Sequence, residues 1–326
     1  MSNSPILERA QRFLSVLRHC QVLGMGVHSA APEGLILRLP YSPQIVGNPD
    51  TGVIHGGAIT TLMDTTCGIS TVCVLPEFEI CPTLDLRIDY MHPAEPGKDL
   101  VLSIDRRLQY LAYRELKTAL VEHGASSGSV VVLDVPTGEI LAMVNLPSYN
   151  PNAREGGRAD VRRNRAVTDL VEPGSVMKVL TVAAALESGR FTPASMIDTA
   201  PGYMALPGGY TIRDFRNYGT LSLAGILTKS SNVGAIKVSN ELTAEHQYDM
   251  YTRFGLGQRS GSGFPGELAG VLPAPNRWGP TEKATISYGY GLSVTPLQLA
   301  RAYAAVGNGG RVMQPTFVKG GAGEGT

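Results

Sequence analysis

The 326-residue sequence is short of several things. Residues 1–26 hold no apolar run long enough for a signal peptide or a membrane anchor, so the chain as written is expected in the cytoplasm. There is no excess charge, since 28 Lys and Arg stand against 28 Asp and Glu. That balance gives no drive toward nucleic acid or an anionic membrane. Cysteine is scarce: Cys20, Cys67, Cys73 and Cys81 form no Cys-x-x-Cys pair, and their spacing fits no zinc site. They read as small buried apolar residues in a reducing compartment. The six histidines include no His-Glu-x-x-His, and lone ones such as His19 and His246 read as surface or packing residues. No metal and no cofactor is implied.

What is present is enough for two domains, or one large one, with a sizeable core. Ser4 and Pro5 can open a helix with Ile6, Leu7, Ala10, Phe13, Leu14 and Leu17 on one face. Residues 34–39 and 84–90 read as strands, the second alternating cleanly through Leu84, Leu86, Ile88 and Tyr90. Between them, His55-Gly-Gly-Ala-Ile-Thr-Thr-Leu-Met-Asp64 leads into an apolar helix reaching about Val74. Ala58, Ile59, Leu62, Met63, Ile69 and Val72 would line its buried side. A sheet wrapped round one helix is the expected arrangement.

Gly52-Val-Ile-His55-Gly56-Gly57, followed by Asp64, resembles the hotdog fold of phenylacetate-degradation-type acyl-CoA thioesterases over about residues 1–100. Two glycines at a helix start let backbone N–H groups approach a thioester carbonyl and stabilise its oxyanion. A carboxylate two turns along can serve as base or nucleophile. The resemblance implies a homo-oligomer in which Asp64 works with Gly57 of another copy on an acyl-CoA, with Asn48, His55 and Gly56 nearby. The plainer alternative is that the glycines allow close packing and Asp64 is a solvated helix residue.

A second pattern begins near Val101. Asp105 can cap a helix ended by Gly124, and residues 129–144 read as two strands about a Pro136-Thr137-Gly138 turn. Glu172-Pro-Gly-Ser-Val-Met-Lys178 then heads an apolar stretch. If a helix begins near Ser175, Lys178 lies one turn on, on the same face, placed to take its proton. Burial would lower the lysine pKa toward that of a base. Ser-x-x-Lys alone is a weak signal, but Lys229-Ser-Ser-Asn232 follows between two apolar stretches. Gly261-Ser-Gly-Phe-Pro-Gly266 fits a dinucleotide pattern, yet no strand leads into it and it reads as a loop.

Ser-x-x-Lys followed by Ser-x-Asn resembles the signature of penicillin-binding proteins and serine β-lactamases. Arg163-Asn-Arg-Ala166, Tyr210-Thr-Ile-Arg-Asp214, Gly263-Phe-Pro-Gly-Glu267 and Tyr288-Gly-Tyr-Gly291 extend the likeness to the class B transpeptidase domain of cell division, over residues 101–317. The resemblance implies Ser175 as nucleophile, Lys178 as its base, Ser230 as proton relay and Asn232 as a holder of the acyl donor. The donor would be a D-Ala-D-Ala stem peptide or a β-lactam. Relatives are anchored in the inner membrane and act in the periplasm.

The family's third element, Lys-Ser/Thr-Gly, is not recognisable. Lys319-Gly320-Gly321 is the nearest imitation, and residues 318–326 read as a Gly-rich tail. The expectation is an α+β chain: a partial hotdog domain (1–100) joined to a truncated transpeptidase domain (101–317), its activity doubtful without the third element. The alternatives are a cytoplasmic acyl-CoA thioesterase with the second half as passenger, or an inactive chimera.

Overall fold

The computed structural model describes residues 5–31, 34–74, 102–148 and 163–320. The strand expected at 84–90, together with Ser4 and Cys81, lies outside them. The described residues form two compact units, one of residues before Leu102 and one of nearly all those from Leu102 onward.

The first unit holds helices α1 (Pro5–Val16) and α2 (Arg18–Val22), the ribbons β1 (Gly26–Ala31)–β2 (Gly34–Arg38) and β3 (Val46–Asn48)–β4 (Val53–Ile54), and helix α3 (Gly56–Val74). The 3.6-residue spacing of α1 buries Ala10 and Leu14 against Cys20, Met25, Leu37 and the α3 residue Ile69. Of the residues expected along the buried side of α3, Ala58 and Ile69 are buried, and Ile59, Leu62 and Met63 are half-buried. Cys20 is a buried packing residue, its thiol 3.5 Å from the Thr65 hydroxyl. Cys67 differs from the expectation: it is exposed, two residues before buried Ile69 and therefore turned away from it on the helix.

The second unit opens with α4 (Arg106–His123), which begins and ends as the sequence predicts. The Asp105 carboxylate accepts from the Arg107 and Leu108 amides, and Gly124 closes the helix in the left-handed conformation. Next comes the hairpin β5 (Gly128–Leu133)–β6 (Ile140–Leu146), turned at Gly138. The outer edge of β6 is covered by local devices. Gln109 mimics a strand neighbour, its amide donating to the Met143 carbonyl (2.9 Å) and accepting from the Met143 amide (2.8 Å). Ile140 donates to Thr316, and Asp105 to Leu141, at 2.8 Å each. Val318 bridges Leu102, and the Gly320 amide donates to Glu139.

A helical layer follows: α5 (Arg165–Thr168), a 3-10 turn (Gly174–Met177), α6 (Lys178–Glu187), the short ribbons β7 (Met196–Asp198)–β10 (Thr220–Ser222) and β8 (Tyr203–Ala205)–β9 (Thr211–Arg213), then α7 (Leu223–Lys229), α8 (Asn232–Asn240), α9 (Ala244–Arg253), α10 (Pro280–Ser287) and α11 (Pro296–Gly307). Its core joins Met177, Leu180, Ile226, Ile236, Tyr251, Ile286 and Leu292. Within it the Thr181 hydroxyl lies 2.6 Å from the Tyr251 hydroxyl and donates to the Ser287 carbonyl, while Gln247 links Tyr251 to Ser239. Burial pushes the Tyr251 phenol up to about 12. Residues 261–266 are a loop, as expected from the lack of a leading strand. His246 is a packing residue whose ring meets the Ala184 carbonyl at 2.8 Å.

Candidate functional site

Ser175 sits in the 3-10 turn and Lys178 is the first residue of α6. The sequence suggested a helix starting near Ser175; the tighter turn makes the geometry closer still. Three residues per turn eclipse positions i and i+3, so the hydroxyl and the ammonium stack along one line. Lys178 Nζ lies 3.0 Å from Ser175 Oγ.

The other side of the amine is met by the α7–α8 junction. Ser222 and Ser231 cap their helices through side-chain oxygens, and residue 230 turns the chain between them. Ser230 takes φ +52°, alone in that region among described non-glycine residues. Such a conformation costs about 1 kcal/mol and persists where surroundings demand it. Lys178 Nζ donates to Ser230 Oγ at 2.9 Å and to the Ser230 carbonyl at 2.6 Å. The three contacts place one nitrogen between two hydroxyls.

Asp214, just past β9, organises this junction. Its carboxylate accepts from the Ser231 hydroxyl (2.5 Å) and from the Asn232 (2.6 Å) and Val233 (3.1 Å) amides. The Asn232 side chain donates to the Arg213 carbonyl at 3.1 Å. Sequence reasoning matched the Tyr210–Asp214 stretch but gave Asp214 no role. An acidic residue able to cap the Ser-x-Asn helix was the available signal.

Lys178 is only 1 % exposed, whereas Ser175 and Ser230 are exposed. Burial lowers the lysine from 10.5 to about 8, against an opposing pull upward from the Asp214 charge. A buried amine near neutrality beside an accessible hydroxyl can remove its proton and hand it on.

The five residues expected for the other half lie in the first unit. Gly56 and Gly57 open α3, and the Gly57 amide donates to His55 Nδ1 at 3.0 Å. Asp64 is half-buried two turns on. Asn48 ends β3 and accepts from the Asp50 amide. Seven residues of helix separate Gly57 from Asp64 by about 10 Å, so the structure does not bring them together within one chain. Among the described residues, no group of His, Cys, Asp and Glu could hold a metal, and no helix is long and apolar enough to cross a membrane.

The family model described as penicillin binding protein transpeptidase domain matches residues 128–323, and that of the thioesterase superfamily matches residues 51–104. A probable peptidoglycan D,D-transpeptidase PenA of Neisseria flavescens is 48% identical over 223 residues, covering 68% of this chain and 55% of that protein. The peptidoglycan D,D-transpeptidase FtsI of Escherichia coli K12 is 46% identical, covering 67% of this chain and 36% of that protein. The apo transpeptidase-domain structure of Burkholderia pseudomallei penicillin-binding protein 3 is 42% identical, with a TM-score of 0.62 over 72% of this chain and 66% of that one. The chain thus spans about half, or less, of the length of these curated relatives.

Proposed function

The chain belongs to the penicillin-binding protein transpeptidase family, joined to a thioesterase-superfamily segment, and from that premise we propose that its second unit forms an acyl-serine intermediate on Ser175. The observation carrying this reading is the buried Lys178 amine held between Ser175 Oγ and Ser230 Oγ. In its neutral form Lys178 accepts the Ser175 proton as Oγ attacks the donor carbonyl. The amide bond then breaks, and the proton passes by way of Lys178 and Ser230 to the leaving nitrogen. A second amine attacks the ester and regenerates the serine. Asn232, anchored on Arg213, presents the remainder of its amide to the donor peptide.

The donor we propose is a D-Ala-D-Ala stem peptide, with β-lactams as mimics that acylate the same oxygen. Relatives named as peptidoglycan D,D-transpeptidases support this substrate, and the cell-division type is the subclass we favour. The test is the intact mass after incubation with a penicillin. The expected result is one adduct in the parent chain and none in Ser175→Ala. An adduct of equal yield in both would refute the assignment of the nucleophile.

For the N-terminal segment we propose a hotdog thioesterase-like unit of the phenylacetate-degradation type, fused near residue 100. Its support is the superfamily match and the Gly57–His55 arrangement at the start of α3. With Gly57 and Asp64 far apart on one helix, catalysis there needs a second copy to supply one of them. Hydrolysis of an aryl acyl-CoA by an oligomer, abolished in Asp64→Ala, is the expected outcome. A well-folded oligomer without turnover would overturn it.

A further inference from the structure

The helices flanking the site carry their own caps: Ser222 for α7, Ser231 for α8 and Thr295 for α11. The turn bearing Ser175 does not. Neither Pro173 ahead of it nor Met177 ahead of α6 makes a side-chain cap bond. An uncapped turn leaves its first amides without a local side-chain partner and its orientation undetermined by local bonds. Something behind it must fix the direction of Ser175.

Three contacts reach that turn from elsewhere in the sequence. The Gly174 amide donates to the Gly289 carbonyl at 3.0 Å. The Gly291 amide donates to Glu172 Oε1 at 2.9 Å. The Tyr303 hydroxyl, on α11, donates to the Val176 carbonyl at 2.8 Å. They fall on residues 172, 174 and 176, on both sides of Ser175, and none falls on Ser175 itself. Just outside them, Val171 and Val294 exchange backbone bonds of 3.0 Å each. The approach is close: a Cβ on Gly289 would lie 2.0 Å from the Gly174 carbonyl oxygen. Only glycine fits there, and its φ of +94° suits glycine as well.

We propose that residues 289–291 and Tyr303 form a template that aims the Ser175 hydroxyl, with Glu172, Gly289 and Tyr303 as positioning residues for acylation. The inference rests on the acyl-serine reading above. Its physical basis is that reacting atoms must sit within a few tenths of an ångström of the productive geometry, and that a misplacement near 1 Å costs about 10²-fold in rate. Residues 289–291 and Tyr303 lie outside the Ser-x-x-Lys motif and meet backbone groups of Gly174 and Val176, together with the Glu172 side chain ahead of the turn.

The experiment compares Glu172→Ala, Glu172→Gln and Tyr303→Phe with the parent chain. The first-order acylation rate at saturating penicillin, the final adduct yield and the unfolding midpoint are measured for each. Loss of one contact is expected to slow acylation about fivefold to tenfold while yield and midpoint stay at parent values. Glu172→Gln keeps an oxygen acceptor for Gly291 and is expected to recover to within about twofold. Parent-like rates in both Glu172→Ala and Tyr303→Phe would overturn the inference. So would a fall in yield and midpoint that accounts for the whole loss, or a glutamine variant no faster than alanine. If the parent forms no adduct, the acyl-serine reading fails, and hydrogen exchange at the Gly174 amide decides the template. That amide bonds Gly289, not Glu172, so faster exchange in Glu172→Ala supports a coupled template and unchanged exchange refutes it.

Discussion

Replacing Lys178 with methionine removes a buried charge while keeping most of the side-chain volume. In the folded chain the amine is held at about 8 rather than 10.5, chiefly by desolvation. At pH 7 it is still mostly protonated, so the fold carries the cost of that buried charge. The difference between the two values corresponds to about 3 kcal/mol. Methionine also gives up the bonds to the Ser175 and Ser230 hydroxyls and to the Ser230 carbonyl, but both serines are exposed and water can replace the lysine, so that loss is about 1 kcal/mol. Lys178→Met is therefore expected to be more stable than the parent by about 2 kcal/mol at pH 7 and to form no penicillin adduct.

The pH dependence identifies the cause. Between about 8 and 10.5 the unfolded lysine holds a proton that the folded one has released, so parent stability gains from this group as pH rises through that window. The advantage of the methionine variant should shrink over the same interval and disappear by its upper end. Urea unfolding followed by fluorescence suits the measurement, because the single tryptophan, Trp278, packs against Tyr248 and Tyr251 in the second unit's core. A variant less stable than the parent at pH 7, or a difference that does not change between pH 7 and 10, would refute the buried-base argument.

If neutral Lys178 is the base, the acylation rate should rise about tenfold per pH unit below about 8 and level off above it; a flat profile from pH 6 to 9 would contradict that role. Thr181→Val keeps the shape of a buried side chain but removes the hydroxyl shared by Tyr251 and the Ser287 carbonyl, and should cost about 2–4 kcal/mol in the same urea assay. Gly234→Ala would put a methyl carbon 2.6 Å from Ile226 Cγ1 where α8 crosses α7, and is expected to cost about 1–3 kcal/mol with slower acylation, since both helices frame Ser230.

Elements whose signals are local were legible in the sequence. Asp105 and Gly124 mark the ends of α4 by backbone chemistry that acts within one turn, and Pro136-Thr137-Gly138 marks its hairpin in the same way. The short ribbons β7–β10 left no such trace. Three residues are too few for a periodicity, and their pairings, such as Leu221 with Ile197, are fixed by the helices on which they rest. The buried Thr181–Tyr251–Gln247 network was equally hidden, because a polar residue in a helix reads as surface until its partner from another helix is known. Cys67 failed for the related reason that residue type predicts average burial, not the helix face it falls on.

The site divides along the same line. Ser175 and Lys178 are three residues apart, so their meeting follows from one turn of helix, and the buried lysine follows from the apolar stretch it heads. Ser230 meets them from 52 residues away, and only family resemblance suggested it. Glu172 and Tyr303 act through backbone amides and carbonyls, which any sequence supplies, so no residue pattern announces them. Asp214, which also takes the Ser231 hydroxyl, offered only the weak signal of an acidic residue able to cap a helix. Yet these contacts decide whether the legible residues are aimed. A lysine near neutrality activates a hydroxyl only if the nitrogen lone pair and the Oγ–H bond are collinear within roughly 10–20°. That angle depends on the 172–176 backbone and on the 230–232 junction, both held by groups distant in sequence. The motif residues supply the chemistry, and the unmarked contacts supply its direction, so a variant that keeps both motifs and alters Gly289 should lose acylation before it loses its fold.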